Sequence, residues 1–134
     1  MSQENVEIVR SIYAGLERGD FGSAEWADPE IEYVMVDGPH PGSWTGLVDM
    51  ATAARGWLSL WEGYRIEAEE YRELDDERVL VLIRRSGRGK SSGLDLGQLA
   101  TRGAQLFHVR DGKVARDVTW FDREHALADL GLSE

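Results

Sequence analysis

Residues Gln98–Leu132 read QLATRGAQLFHVRDGKVARDVTWFDREHALADLGL. Two strand-like runs flank Asp111-Gly112, and Asp-Gly between alternating apolar residues is the strongest short hairpin signal. A short helix follows, with Asp122 at its N-cap and Gly131 just past its end. A lone strand pair is at best marginally stable in water. The rest of the chain must therefore cover one of its faces.

The turn decides which side chains share a face. A two-residue type I′ loop pairs Arg110 with Lys113, which sets like charges opposite each other. A type I turn with Gly112 as a left-handed bulge pairs Val109 with Lys113 instead. The charge argument favours the bulged turn. That register puts Gln105, Phe107 and Val109 on one face with Ala115, Asp117, Thr119 and Phe121. Leu106, Val114, Val118 and Trp120 take the other face.

Upstream, Val6, Val9, Tyr13 and Leu16 recur at helical spacing, so the first segment, roughly Ser2 to Arg18, reads as a helix that Gly19 ends. Phe21 to Ala27 reads as a short second helix, closed by Asp28-Pro29 because a residue before proline leaves the helical region. Glu30 to Val36 alternates like a strand, with Ile31, Tyr33 and Met35 on one face. Asp37 to Gly46 (DGPHPGSWTG) reads as a loop from its Gly and Pro content. Leu47 to Trp61 carries the longest amphipathic stripe: Met50, Ala51, Ala54, Trp57, Leu58 and Trp61. Tyr64 to Leu74 is a charged strand at or near an edge. Glu77 to Ser86 is a strongly apolar central strand, and Gly87 to Gly93 is a loop. Helices first and a long antiparallel run afterwards predict an α+β domain with helices on one sheet face. A twisted sheet curling around those helices makes a cone with an open mouth, a shape suited to small molecules. The expected unit is one domain over residues 1–134.

Composition narrows the partners. The chain has 134 residues, 15 Lys plus Arg against 25 Asp plus Glu, and a formal net charge of -10. That balance repels nucleic acid and anionic lipid, so neither is an expected partner. It has no cysteine, so disulfides and thiolate chemistry are excluded. The polar start MSQENVEIVR does not read as a signal peptide. No apolar run approaches the ~20 residues of a membrane span. A cytoplasmic location is the default expectation. Three scattered histidines lack metal-ligand spacing, so no metal site is expected.

The chain resembles the SnoaL-like polyketide cyclases of the nuclear transport factor 2-like superfamily, which also holds ketosteroid isomerases. ENVEIVRSIYAGLERGDF is similar to the family's first helix, DPEIEY to its first strand, and WLSLWEGYRIEAEEY to its third helix running into the sheet. RVLVLIRRSGRGKSSG and FHVRDGKVARDVTWFDREHALADLGL are similar to its late strands and closing helix. The resemblance implies a cone-shaped curved antiparallel or mixed sheet wrapped around the N-terminal helices, with a short C-terminal helix. The fold hosts isomerases, cyclases, dehydratases and non-enzymes, so it leaves activity open. Ketosteroid isomerases use an Asp base with an oxyanion hole of a Tyr and a protonated Asp. Carried over by position, the Tyr falls on Ile12 with Tyr13 one place away. The base falls on Val34, or on Tyr33 one residue off, and the second Asp falls on Gln105. That trio is absent. The family's pocket face has the parity of the bulged register.

Asp117 is then the leading acid–base candidate, since a buried carboxyl raises its pKa or finds a donor, against the plainer reading, favoured by a type I′ turn, of an exposed strand Asp paired with Arg116 or Arg102. The register puts it opposite Gln105. Tyr13 and His40 are the other catalytic candidates, against the plainer readings of core tyrosine and solvated loop histidine. Gln105, Thr119, Trp57, Trp61, Phe107, Phe121 and Tyr33 are the expected ligand-binding residues. Arg84, Arg85, Arg88 and Lys90 form a basic cluster that steers anions or is simply solvated. Two function classes stay open. One is a cofactor-independent cyclase, isomerase or lyase acting on a small apolar carbonyl or polyketide-like compound. The other is a non-catalytic ligand-binding or assembly module with the same pocket. Leu106, Val118 and Trp120 would leave an apolar patch on the far sheet face, from which a homodimer is expected.

Overall fold

A computed structural model describes residues 2–20, 25–38, 41–89 and 98–132. Its hairpin turns at Asp111 and Gly112, which both have positive φ, 53° and 76°. Arg110 pairs with Lys113 and Val109 with Val114. The turn is therefore the two-residue type I′ loop and not the expected bulged turn. The opposed charges are tolerated because each has its own acceptor. Arg110 lies 3.8 Å from Glu77, and Lys113 Nζ donates to the Glu25 carbonyl.

A register shift follows one step further on, between His108 and Val109, where Ala115 is the extra residue. Beyond it Phe107 pairs with Asp117 and Gln105 with Thr119. The bulge restores the parity that the sequence reading assigned to the turn. Asp117 and Thr119 thus share a face with Gln105 and Phe107, although Asp117 lies diagonal to Gln105 and not opposite it. Val114 is corrected to the Phe107 face, where it is fully buried with Val109. The residue that slips out of register is Ala115.

The elements run α1 (Ser2–Glu17), β1 (Ala27–Met35), β2 (Gly42–Thr45), α2 (Leu47–Leu58), β3 (Trp61–Glu73), β4 (Arg78–Gly89), β5 (Gln98–Arg110), β6 (Lys113–Trp120) and α3 (Arg123–Leu130). The strands form one sheet in the order β2-β1-β6-β5-β4-β3. β1 and β6 are parallel and the other pairs antiparallel. The architecture is the expected α+β cone: a curved, unclosed mixed sheet. β3 lies at an edge, as its charge pattern implied, and β4 is an interior strand next to it, paired on both sides but not central as expected. Among the described residues no helix is long and apolar enough to cross a membrane.

Four element boundaries differ from expectation. Residues 21–24 of the expected second helix lie outside the described residues. Its end, Glu25 to Ala27, is a turn leading into a strand. There Val114 N donates to Trp26 O at 2.9 Å and Ala27 pairs with Val114. Sheet pairing has captured the segment. Pro29, which has no N–H to give a ladder, falls where the β1–β6 register slips between Ala27 and Glu32. The Gly- and Pro-rich loop contains β2, an edge strand of four mostly exposed residues. Such a strand has no apolar face to produce alternation. α2 stops at Leu58, and Trp61 opens β3 opposite Gly89, which also carries β4 into the expected Gly87–Gly93 loop.

Alternation along β4 builds two cores. Val79, Val81 and Ile83 face α1 with Val9, Ile12 and Tyr13. Leu80 and Leu82 face the other way, with Leu106, Val118 and Trp120, under Ala126 and Leu127 of α3. The patch on which the homodimer was expected to rest is therefore covered within the chain: Leu106, Val118 and Trp120 are all buried. Among the described residues Val48 is the exposed large hydrophobic side chain.

α3 is fixed at both ends. Asp122 Oδ1 accepts from Glu124 N at 3.0 Å, and Leu132 N donates to Leu127 O at 2.8 Å beyond a left-handed Gly131. Arg123 Nη2 reaches Glu69 at 2.6 Å and Ile83 O at 2.9 Å. We predict that Asp122→Ala lowers stability by about 1 kcal/mol through loss of the cap, read as a lower urea midpoint. An unchanged midpoint would mean that packing alone holds α3.

Candidate functional site

The concave face of the sheet, α1 and α2 enclose a cavity of about 270 Å³. Most of its wall is apolar, with Ile12, Met35, Met50, Trp57, Ile66 and Phe107 among its lining residues. The polar exceptions that matter come from three adjacent strands: Arg85 on β4, Gln105 on β5, and Asp117 and Thr119 on β6.

These groups form two hydrogen-bonded sets. In the first, the Tyr13 hydroxyl donates to Gln105 Oε1, and Gln105 Nε2 donates to Asp117 Oδ1 at 3.1 Å. With Asp117 ionised, this orientation of the amide satisfies both neighbours, because a carboxylate accepts and a hydroxyl can donate. Tyr13 is fixed by edge-on contacts with Phe107 at 5.9 Å and Tyr71 at 6.2 Å. In the second set, Arg85 Nη1 donates to Trp120 O at 3.1 Å and Nη2 donates to Thr119 Oγ1. The guanidinium also lies over the Phe121 ring, 4.2 Å from its centroid.

Burial dominates the electrostatics. Asp117 is 3% exposed, and desolvation pushes its pKa up to about 7 against smaller opposing effects from the Gln105 hydrogen bond and the Arg85 charge. Burial, and then the charge of Asp117, push the Tyr13 and Tyr33 hydroxyls upward. Both phenols keep their protons at any physiological pH and remain available as donors.

Of the residues expected from sequence, Asp117, Gln105, Thr119, Trp57, Phe107, Phe121 and Tyr33 line the cavity. Tyr13 is buried behind the wall and reaches the site through Gln105. His40 lies outside the described residues. Trp61 is a correction. It opens β3 and is not among the residues lining the cavity. Its ring supports Trp57 from behind at 5.4 Å. His125 sits outside the cavity, bridging Asp37 at 2.9 Å and Asp129 at 3.2 Å. Among the described residues no three His, Asp or Glu converge as metal ligands.

Arg85 is what the sequence reading missed. It was grouped with Arg84, Arg88 and Lys90 as a surface cluster, yet it is 3% exposed. The signal was present in strand parity: Val79, Val81, Ile83 and Arg85 alternate on one face, and the first three are core residues. A basic residue that completes an inward series is aimed at the interior.

No family model matches the chain, and no curated protein matches it. Solved structures do match its fold. TerC, co-crystallised with polyporic acid, is 24% identical with a TM-score of 0.72, over 95% of this chain and 97% of that one. A provisionally named SnoaL-like polyketide cyclase from Jannaschia sp. CCS1 is 16% identical with a TM-score of 0.74, over 96% and 90%. A nuclear transport factor 2-like protein of unknown function from Burkholderia pseudomallei K96243 is 18% identical with a TM-score of 0.74, over 93% and 95%. The fold is therefore the nuclear transport factor 2-like cone, shared with proteins named as SnoaL-like cyclases. At these identities the likeness extends to the fold alone.

Gly103 is required by the site. A Cβ placed there would lie 2.3 Å from Trp120 O and 2.7 Å from Arg85 Nη1. The first atom is backbone and cannot swing aside. We predict that Gly103→Ala destabilises the protein by about 1–3 kcal/mol, the usual range for overpacking, measured by urea unfolding. Unaltered stability would show that β5 can move away from β6 freely.

Proposed function

We propose that the cone binds a small, largely apolar carbonyl or polyketide-like compound and that Asp117 moves a proton on it, in cofactor-independent chemistry of the cyclase, isomerase or dehydratase kind. The observation that carries this reading is a carboxyl buried at the wall of an apolar cavity, held by Gln105, with a pKa pushed up to about 7. A group titrating near neutral pH is divided between its acid and base forms, so it can accept a proton and return it. Gln105 takes Oδ1, which leaves Oδ2 to meet the ligand. Tyr13 is a positioning residue in this scheme: it fixes the Gln105 amide and does not touch the substrate. Tyr33, whose phenol stays protonated, and Thr119 are the hydroxyls placed to meet a substrate oxygen. The likeness to proteins named as polyketide cyclases, and to one crystallised with polyporic acid, supports a small-molecule ligand.

The ketosteroid isomerase arrangement offers no support for steroid isomerisation here. Its base position falls on Val34, which packs under α3, or on Tyr33. Neither is a carboxylate.

The first test needs no substrate. A carboxyl whose folded pKa lies above its unfolded value of about 3.9 holds its proton more tightly when folded. The folded state then binds more protons than the unfolded state between about pH 4 and pH 7, so this group costs stability as pH rises through that window. The roughly three-unit shift corresponds to about 4 kcal/mol at most. Asp117→Asn keeps the shape and removes the titration. We predict that the variant gains stability over the parent chain between pH 4 and pH 8, by about 2–4 kcal/mol, in urea titrations at each pH. A pH-independent difference would mean that Asp117 titrates normally, and the catalytic reading would fall. Where a carbonyl substrate is turned over, the same variant loses activity by about 10²-fold or more. Full activity in the variant would leave a binding module.

A further inference from the structure

Arg85 is a buried cation with no carboxylate of its own. Arg10, Arg72, Arg78, Arg84, Arg110, Arg116 and Arg123 each have an acidic side chain within 4.0 Å. Arg85, the most buried of the arginines described, forms no such ion pair among the described residues. Its hydrogen bonds go to two neutral acceptors, the Thr119 hydroxyl and the Trp120 carbonyl. Asp117 feels the Arg85 charge but lies beyond ion-pair distance. Removing a guanidinium from water without a counter-charge is costly, and a hydrophobic residue of similar volume would avoid that cost. A guanidinium has five N–H donors, and two of them are engaged in these bonds.

The geometry points to the missing partner being the ligand. We infer that the compound held in the cone carries an oxyanion, either a carboxylate or the ionised oxygen of an acidic enol or phenol, seated against the Arg85 guanidinium and the Thr119 hydroxyl. This rests on the reading of the cone as a small-molecule site and adds the chemical class of what enters it. The rest of the compound is apolar, because Met35, Trp57, Phe107 and Phe121 surround that polar corner. A charge-assisted contact inside a desolvated cavity is worth more than the same contact at the surface. The chain's net charge of -10 does not prevent entry. Surface charges are screened over about 8 Å at physiological ionic strength, whereas Arg85 acts at contact distance inside the cavity.

The arrangement also couples binding to protonation. An anion beside Arg85 raises the cost of a second negative charge on Asp117, so bound ligand favours the protonated acid. Asp117 then faces the ligand as a proton donor, and the oxyanion is the group that charge development would involve.

Three aromatic probes, two of them with the same naphthalene body, test the inference, followed by quenching of the cavity tryptophan Trp57 at about pH 6, where a simple carboxylate is ionised. 2-Naphthoate carries a carboxylate, 2-acetonaphthone is its neutral counterpart, and 4-nitrophenol absorbs in the visible range only when ionised. We expect 2-naphthoate to bind at least about 10-fold tighter than the ketone, as one charge-assisted contact requires. Alternatively, 4-nitrophenol ionises on binding, which assigns the site to acidic hydroxyls. Either result supports the inference. In Arg85→Gln the preference for the anion, read as the ratio of naphthoate to ketone affinity, disappears. Arg85→Lys, which keeps the charge, retains part of the preference. The comparison of probes on the unaltered protein stands even if Arg85→Gln fails to fold. Ketone binding as tight as naphthoate, with 4-nitrophenol staying neutral, overturns the anion assignment and leaves the small-molecule reading intact. If no probe binds at all, both are overturned.

Discussion

One extra residue in β6 decides what the cone contains. Ala115 shifts the ladder by a single place. Because side chains alternate along a strand, everything beyond it changes face. With the type I′ turn and an unbroken ladder, Asp117 and Thr119 would point to the α3 side, and Val118 and Trp120 would point into the cavity. The site would then be an aromatic plug with no acid. The bulge reverses this: the apolar pair packs under α3 and the polar pair meets Gln105 and Arg85. The hydrogen bonds of Asp117 with Gln105 and of Arg85 with Thr119, and the shifted pKa of Asp117, all depend on that slip.

Much of this was legible in the chain. The helix and strand periods fix α1, α2 and the late strands, and the Asp122 and Gly131 caps fix α3. The face carrying Gln105, Phe107, Asp117 and Thr119 was also foreseen, but through the wrong device. Like-charge repulsion between Arg110 and Lys113 was weighed as if the two shared one solvent shell with no other partners. Glu77 and the Glu25 carbonyl, far apart in sequence, relieve it. Elements set by pairing rather than by periodicity were the ones missed. β2 and the start of β1 have no apolar rhythm of their own. They are strands because a neighbour supplies the hydrogen bonds, as Val114 does for Trp26.

The two polar sets on the cavity wall differ in kind. The Tyr13–Gln105–Asp117 chain is internally matched, each donor meeting an acceptor, and its members can all be neutral. The Arg85–Thr119 pair is not matched in charge. Burial therefore acts on the two in opposite ways. The carboxyl can shed its charge by taking up a proton, and the guanidinium cannot. A single desolvated cavity thus converts one acidic residue into a titratable group and leaves one basic residue as a fixed positive charge.

The parallel pairing of β1 with β6 joins the two ends of the chain in sequence. Contacts that span so much intervening chain form late, because the loop entropy must be met before they contribute. β1 can pair with β2 early, yet its other edge stays open until the last hairpin arrives. During synthesis the N-terminal helix and first strands leave the ribosome with the cone unsealed and its apolar lining wet. Only when residues beyond Lys113 have been made can β6 enter between β1 and β5. Until β6 docks there, Asp117 is an ordinary carboxylate in water. The raised pKa of Asp117 is thus a property of the docked strand, and no fragment that stops before β6 can show it.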